Sequence, residues 1–119
     1  MNNKMLPTLY EFLTNNMRNS YLNHPEFDSL YVRKGAIYID KNWVYGFQIA
    51  NITATKPGNK AFERLIKQIL EINPNIVIYV ELVHNERFRA KLTRMGFDQT
   101  DKDSMCYVLN KEKYKNNNE

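Results

Sequence analysis

Ile49–Leu70, IANITATKPGNKAFERLIKQIL, reads as a strand, a tight Pro-Gly turn and an amphipathic helix, in that order. Phe62, Leu65, Ile66, Ile69 and Leu70 recur at i, i+3, i+4, i+7 and i+8, which is one apolar stripe at helical period. Glu63, Arg64, Lys67, Gln68 and Glu71 take the other faces. A strand that turns through glycine into a helix builds a seat for anions. The first helical N–H groups lack intrahelical partners, and the macrodipole adds partial positive charge there. Gly58 lets the backbone approach a bound group, and Lys60 adds a full charge. One glycine is a weak motif, and the unit reads equally as an ordinary strand–turn–helix with no ligand.

Upstream, Thr8-Leu9-Tyr10-Glu11 has capping-box spacing, with Leu9, Phe12, Leu13 and Met17 following at helical intervals. This predicts a helix over Leu9–Tyr21 that ends at Asn23-His24-Pro25, because the residue before proline avoids helical angles. His24 then falls in a solvent-exposed turn. Ser29–Arg33 and Ala36–Asp40 read as short strands about a Lys34-Gly35 turn. Lys41-Asn42 turns the chain into a long strand, Trp43–Ala54, whose Gly46 marks a bulge or a close backbone approach.

Downstream, Ile76–Val83 is nearly continuous apolar sequence, the pattern of an interior strand buried on both faces. Glu81 interrupts it, and a carboxylate there must be paired, hydrogen-bonded or facing a polar cavity. Asn85 is a natural N-cap for a second helix with Phe88, Leu92 and Met95 inward and Gly96 at its end. Arg87, Lys91 and Arg94 share one side of it, either a solvated basic face or a contact for phosphate or an acidic partner. Phe97–Thr100 and Met105–Asn110 read as a hairpin across Asp101–Ser104. The domain is expected over residues 1–113, with 114–119 a disordered tail rich in lysine and asparagine.

The chain has 119 residues and 43% hydrophobic content, enough for one core without staples. A single cysteine, Cys106, excludes an internal disulfide and a cysteine metal cluster, and it reads as core filler. No run approaches the ~18 apolar residues of a membrane span, and MNNKMLPTLY lacks the apolar core of a secretory signal. A cytoplasmic protein with no membrane partner is expected. The net charge of +4 biases it modestly toward anions. The element order predicts an α+β fold, a mixed sheet with helices around one core.

That order, with the turn at Gly58 and a last helix closing on Gly96-Phe97, resembles the GNAT superfamily of N-acetyltransferases over roughly Trp43–Leu109. The chain also resembles small acetyltransferase-like proteins of phages. Two blocks carry the resemblance: the strand–loop–helix, where the family has roughly (Arg/Gln)-x-x-Gly-x-(Gly/Ala), and Val83-His84-Asn85 through Met95-Gly96-Phe97. The resemblance implies a mostly antiparallel sheet with splayed middle strands and acetyl-coenzyme A as co-substrate. Ile52, Thr53 and Ala54 would offer backbone to the pantetheine arm. Gly58, Asn59, Lys60 and Ala61 would line the diphosphate loop, and Asn85 would touch the arm. The acceptor would be an amine on a protein or a small molecule.

The departures from the family are Thr55 for its Arg or Gln, Lys60 for its second small residue, and Leu92 for a tyrosine acid. As general base the residues suggest Glu81, whose burial in an apolar strand should raise its pKa, with His84 as the alternative. Glu81 reads equally as a structural carboxylate paired with Arg or Lys. The competing reading is a protein of the same fold without catalysis that binds and modulates a host protein or a nucleic acid. A dedicated nucleic-acid binder, built on the basic face and Tyr31, Tyr38, Tyr45, Tyr79 and Tyr107, ranks behind these.

Overall fold

The computed structural model describes residues 5–39, 41–81, 83–100 and 105–117. In chain order the elements are α1 (Leu9–Thr14), β1 (Asn19–Tyr21), β2 (Phe27–Ile39), β3 (Asn42–Ala54), α2 (Ala61–Ile72), β4 (Val77–Val80), α3 (Glu86–Met95), β5 (Phe97–Gln99), β6 (Tyr107–Leu109) and α4 (Lys111–Asn117). The six strands form one sheet in the order β1-β2-β3-β4-β6-β5. Every neighbouring pair is antiparallel except β3 and β4, which run parallel and are joined over the sheet by α2. This is the expected mixed α+β fold, with a meander leading into the Trp43–Ala54 strand and β4 in the interior.

The core follows from the two periodicities. On the sheet, Leu30, Val32, Phe47, Ile49, Ile78 and Val80 alternate inward and are buried. The α2 stripe of Phe62, Leu65, Ile66 and Ile69 is buried with them, as are Phe12 of α1 and Leu92 of α3, all in one cluster. Ring contacts orient it: Phe12 meets Phe47 edge-on at 6.0 Å, and Phe62 meets Phe88 at 5.0 Å. Along β4 the burial is one-sided, since Val77 and Tyr79 remain part-exposed on the other face.

Five local expectations are corrected. The capping box at Thr8 and Glu11 is present, but α1 stops at Thr14 rather than Tyr21. The Asn15 side chain accepts the Met17 N–H at 2.9 Å, which turns the chain into β1. No turn occurs at Lys34-Gly35, and β2 runs unbroken through both. Lys34 is buried there with its ammonium on the carbonyls of Phe12 and Asn15, the latter at 2.5 Å, so its charge closes the end of α1. Burial pushes the Lys34 pKa down.

His24 is buried rather than solvent-exposed, with Nε2 2.9 Å from Gln68 Oε1 and its ring 5.0 Å from Phe27. Cys106 is only half-buried, not core. Lys111–Asn117 form α4, where a disordered tail is expected from residue 114. Asn110 caps them by accepting the Lys113 N–H at 3.1 Å, and Tyr114 packs on the core. Asp40, at the end of one expected strand, Leu82, within another, and the Asp101–Ser104 turn lie outside the described residues.

Gly46 marks a close approach, since a Cβ there would lie 2.2 Å from Ile37 Cδ1. The bulge falls four residues later. Val32 faces Ile49 and Tyr31 faces Asn51, so Ala50 is the extra residue on β3.

The Asp98–Lys113 pair at 2.6 Å ties α4 to β5, and Asn110 Nδ2 also donates to Asp98 at 3.0 Å. The Lys113 hydrogen bond first, then that of Asn110, holds the Asp98 carboxyl below the usual range. A group with a depressed folded pKa adds stability above its unfolded pKa and loses it as pH falls through the folded one. Asp98→Asn is therefore expected to cost about 0.5 kcal/mol at pH 7, the scale of an exposed pair, and progressively less as pH falls through the folded pKa. Urea unfolding of both proteins across pH 2–7 measures the difference and cancels the other carboxylates.

Candidate functional site

The site starts where β3 and β4 part. Their parallel ladder covers Gly46–Ile49 against Val77–Val80, and the Glu81 N–H donates to the Ile49 carbonyl at 3.2 Å. Beyond it the Ala50 bulge bends β3, which continues to Ala54 paired with β2. Among the described residues, no strand partners the β4 side of β3 over 50–54. Such unpaired backbone is available to a ligand.

The chain then passes through Lys56–Asn59 into α2. Gly58 has φ +82°, and a Cβ there would meet nothing within 4 Å, so this loop faces open space. Lys60 is the N-cap of α2 with φ 56°, a left-handed conformation unusual for a lysine, and no side chain caps the helix. The leading amides of α2 thus stay available. A cleft of about 570 Å³ lies against them, lined by Ile52, Ala54, the 56–60 loop, Ala61 and Phe62 at the start of α2, Asn85 and the outer face of α3. Lys56, Lys60, Arg87, Lys91 and Arg94 contribute to its walls, and no carboxylate does so among the described residues. Lys91 is partly neutralised by Glu63 at 2.8 Å.

A second cleft of about 230 Å³ fills the gap between the parted strands and shares Ile52, Asn85 and Phe88 with the first. Its polar lining is Asn51, Glu81, His84 and Asn85.

The structure brings Ile52, Ala54, Gly58, Asn59, Lys60, Ala61 and Asn85 to one cleft. Thr53 alternates to the exposed side and lines neither cleft. Asn85 caps α3 by accepting the Phe88 N–H at 3.0 Å, so its Oδ1 is committed to the helix. Glu81 is not a lone buried carboxylate. It is part-exposed and paired with Arg33 Nη1 at 2.6 Å, the structural alternative foreseen for it. Leu92 is fully buried, so no proton donor occupies that place. Tyr79 lines neither cleft, and burial, then its Cys106 contact, holds its phenol well above the usual range.

One constellation was not foreseen. The Arg64 guanidinium grips both Glu26 oxygens, with Nε at 2.9 and 3.0 Å, and Nη2 also donates to the Asn59 carbonyl at 2.5 Å. The hydrogen bond from Arg64 lowers the Glu26 pKa, and Glu26 raises that of Arg64 in return. Among the described residues no group of His, Cys, Asp and Glu could hold a metal ion, and no helix is long and apolar enough to cross a membrane.

The cradle fits a diphosphate: free amides at a helix start, a glycine at positive φ that faces open space, and cations around it. Its departure is Lys60, which offers a point charge where a small residue leaves more room.

No protein-family profile matches the chain, and no curated protein matches it in sequence. Among solved structures it is similar to a chain of the KacTA–DNA complex, with TM-score 0.58 and 13% identity over 89% of this chain and 76% of that one. At that identity the likeness concerns the fold.

Proposed function

We propose that this protein is a GNAT-type N-acetyltransferase that transfers acetyl from acetyl-coenzyme A to an amine of a protein or a small molecule. The observation that carries the reading is the parting of β3 and β4 directly beside the uncapped, cation-walled start of α2. When bound, acetyl-coenzyme A supplies an acetyl group activated as a thioester. The loop at Gly58–Ala61 and the cations of the larger cleft hold the diphosphate. The backbone of Ile52–Ala54 aligns the pantetheine arm and polarises the carbonyl, an oxyanion-type contribution that outweighs most single side chains. Glu81 or His84, both at the smaller cleft, takes the proton from the amine, a step worth typically ~10²–10⁴-fold. Glu81 does so on release from Arg33. With Leu92 buried, the leaving thiolate takes its proton from water.

The test is thermal stability during titration with acetyl-coenzyme A. Ligand at 100 times its dissociation constant is expected to add about 2.7 kcal/mol. No shift at millimolar concentration overturns the reading.

The buried Leu92 and the five cations of the larger cleft favour a second reading, a fold of this type without catalysis that binds a protein or a nucleic acid. A DNA complex of a structurally similar protein is in keeping with it. DNA binding with a steep log–log salt slope, and no response to the coenzyme, selects this reading.

A further inference from the structure

The exposed loop that enters α2 has no apolar anchor of its own. Lys56, Pro57, Gly58, Asn59 and Lys60 are all exposed, and Lys60 holds left-handed backbone angles that an L-residue disfavours. Something outside the loop must hold it in shape.

Glu26 touches it from three directions. Its carbonyl accepts the Thr55 N–H at 2.9 Å, where β3 leads into the loop. Its carboxylate grips Arg64 in the first turn of α2, where the loop ends. Through Arg64 Nη2 it reaches the Asn59 carbonyl in the middle. Glu26 is itself fixed from behind. His24 Nδ1 accepts the Glu26 N–H at 3.1 Å while His24 Nε2 meets Gln68, one turn beyond Arg64 on α2.

An exposed ion pair of ordinary geometry is worth little. This one differs in that the guanidinium is bidentate on the carboxylate and its Nη2 also donates to the loop backbone. Lysine could not do both, because it lacks the planar fork.

We propose that Glu26 and Arg64 are positioning residues that hold the 56–60 loop in the shape in which its amides face an incoming diphosphate. The inference deepens the acetyl-coenzyme A reading and rests on it for the identity of the ligand. The clamp itself can be read without any ligand.

The experiment compares the 119-residue protein with its Glu26→Gln and Arg64→Lys variants, using Asp98→Asn as a remote ion-pair control. Two measurements are made: hydrogen exchange of peptides spanning 55–64 in the free protein, and calorimetric affinity for coenzyme A. Both clamp variants are expected to exchange the hydrogen-bonded Thr55 and Arg64 amides, at the two ends of the loop, about tenfold faster while the β3 and β4 peptides stay protected, with coenzyme A affinity lower by about tenfold. The control changes neither.

Loop exchange at the wild-type rate in both variants overturns the clamp. Faster exchange with unchanged coenzyme A affinity overturns its positioning role and leaves a surface ion pair. If the wild-type protein fails to bind coenzyme A, the acetyltransferase reading falls, and the exchange result alone decides whether the clamp shapes the loop. Unfolding of either variant is recognised by loss of protection in β3. The other variant then decides.

Discussion

Replacing Gly96 with alanine is expected to destabilise the fold by about 3 kcal/mol, more than any other added methyl group at a glycine of this chain. Two costs combine. Gly96 follows α3 with φ +103°, where an L-residue pays roughly 1–2 kcal/mol. Its Cβ would also lie 2.6 Å from the Tyr114 nitrogen, 2.9 Å from the Tyr114 Cα and 3.0 Å from the Lys113 carbonyl carbon. These are backbone atoms of α4, so no rotamer change relieves the clash, and overpacking of this kind costs typically ~1–3 kcal/mol. The helix must move, loosening the Asn110 N–H to Gly96 carbonyl bond of 2.9 Å and uncovering Tyr114. Urea unfolding at constant slope measures the total. Hydrogen exchange locates it, since α4 should lose protection while α2 keeps it. A loss under about 1 kcal/mol, or an α4 as protected as before, would mean that α4 does not dock on Gly96 in solution.

That contact shows where a sequence stops being readable. Features settled within one helical turn were legible: the α2 stripe, the Thr8 and Asn85 caps, and Gly96 as the end of α3. Each depends on neighbours three or four residues away, and side-chain spacing carries that information directly. What depended on a distant partner was not. Gly35 looks like a turn residue because glycine usually is one, yet it stands opposite Gly46 in a continuous strand. Lys34 looks exposed until the carbonyl ends of α1, about twenty residues earlier, are brought over it. The residues of α4 are so polar that only Tyr114 could have signalled docking, and a lone tyrosine has no period.

The candidate site divides along the same line. Gly58, Asn59 and Ala61 were legible with the strand–loop–helix, and Asn85 as the cap of α3. The Ala50 bulge carries no residue signature, although it decides where β3 leaves β4. Arg33 lies 48 residues from Glu81, and Glu26 lies 38 residues from Arg64. Pairs so separated are brought together by topology, and a single sequence has no term that links them. Residue type marked Glu81 as needing a partner. It did not say that the partner would be Arg33 on β2.

Gly58→Trp is expected to abolish the stabilisation by acetyl-coenzyme A altogether, from about 2.7 kcal/mol at 100 times the dissociation constant to none. The position is suited to the test because a Cβ there meets no atom within 4 Å. The indole therefore has room outside the core and enters the cleft between the loop and the α3 cations. The fold itself should lose only about 1–2 kcal/mol, the cost of placing an L-residue at φ +82°. Gly58→Ala separates the two effects: it carries the same backbone cost without the bulk, so it should retain a reduced but measurable coenzyme shift. If the tryptophan variant is stabilised by acetyl-coenzyme A as strongly as the wild type, the ligand does not pass the Gly58 loop. The cradle at the start of α2 then loses its role, and the basic wall of Arg87, Lys91 and Arg94 has to be explained by a partner that approaches α3 from outside. If neither variant binds while both fold, the left-handed backbone at Gly58, rather than the open volume beside it, is what the diphosphate needs.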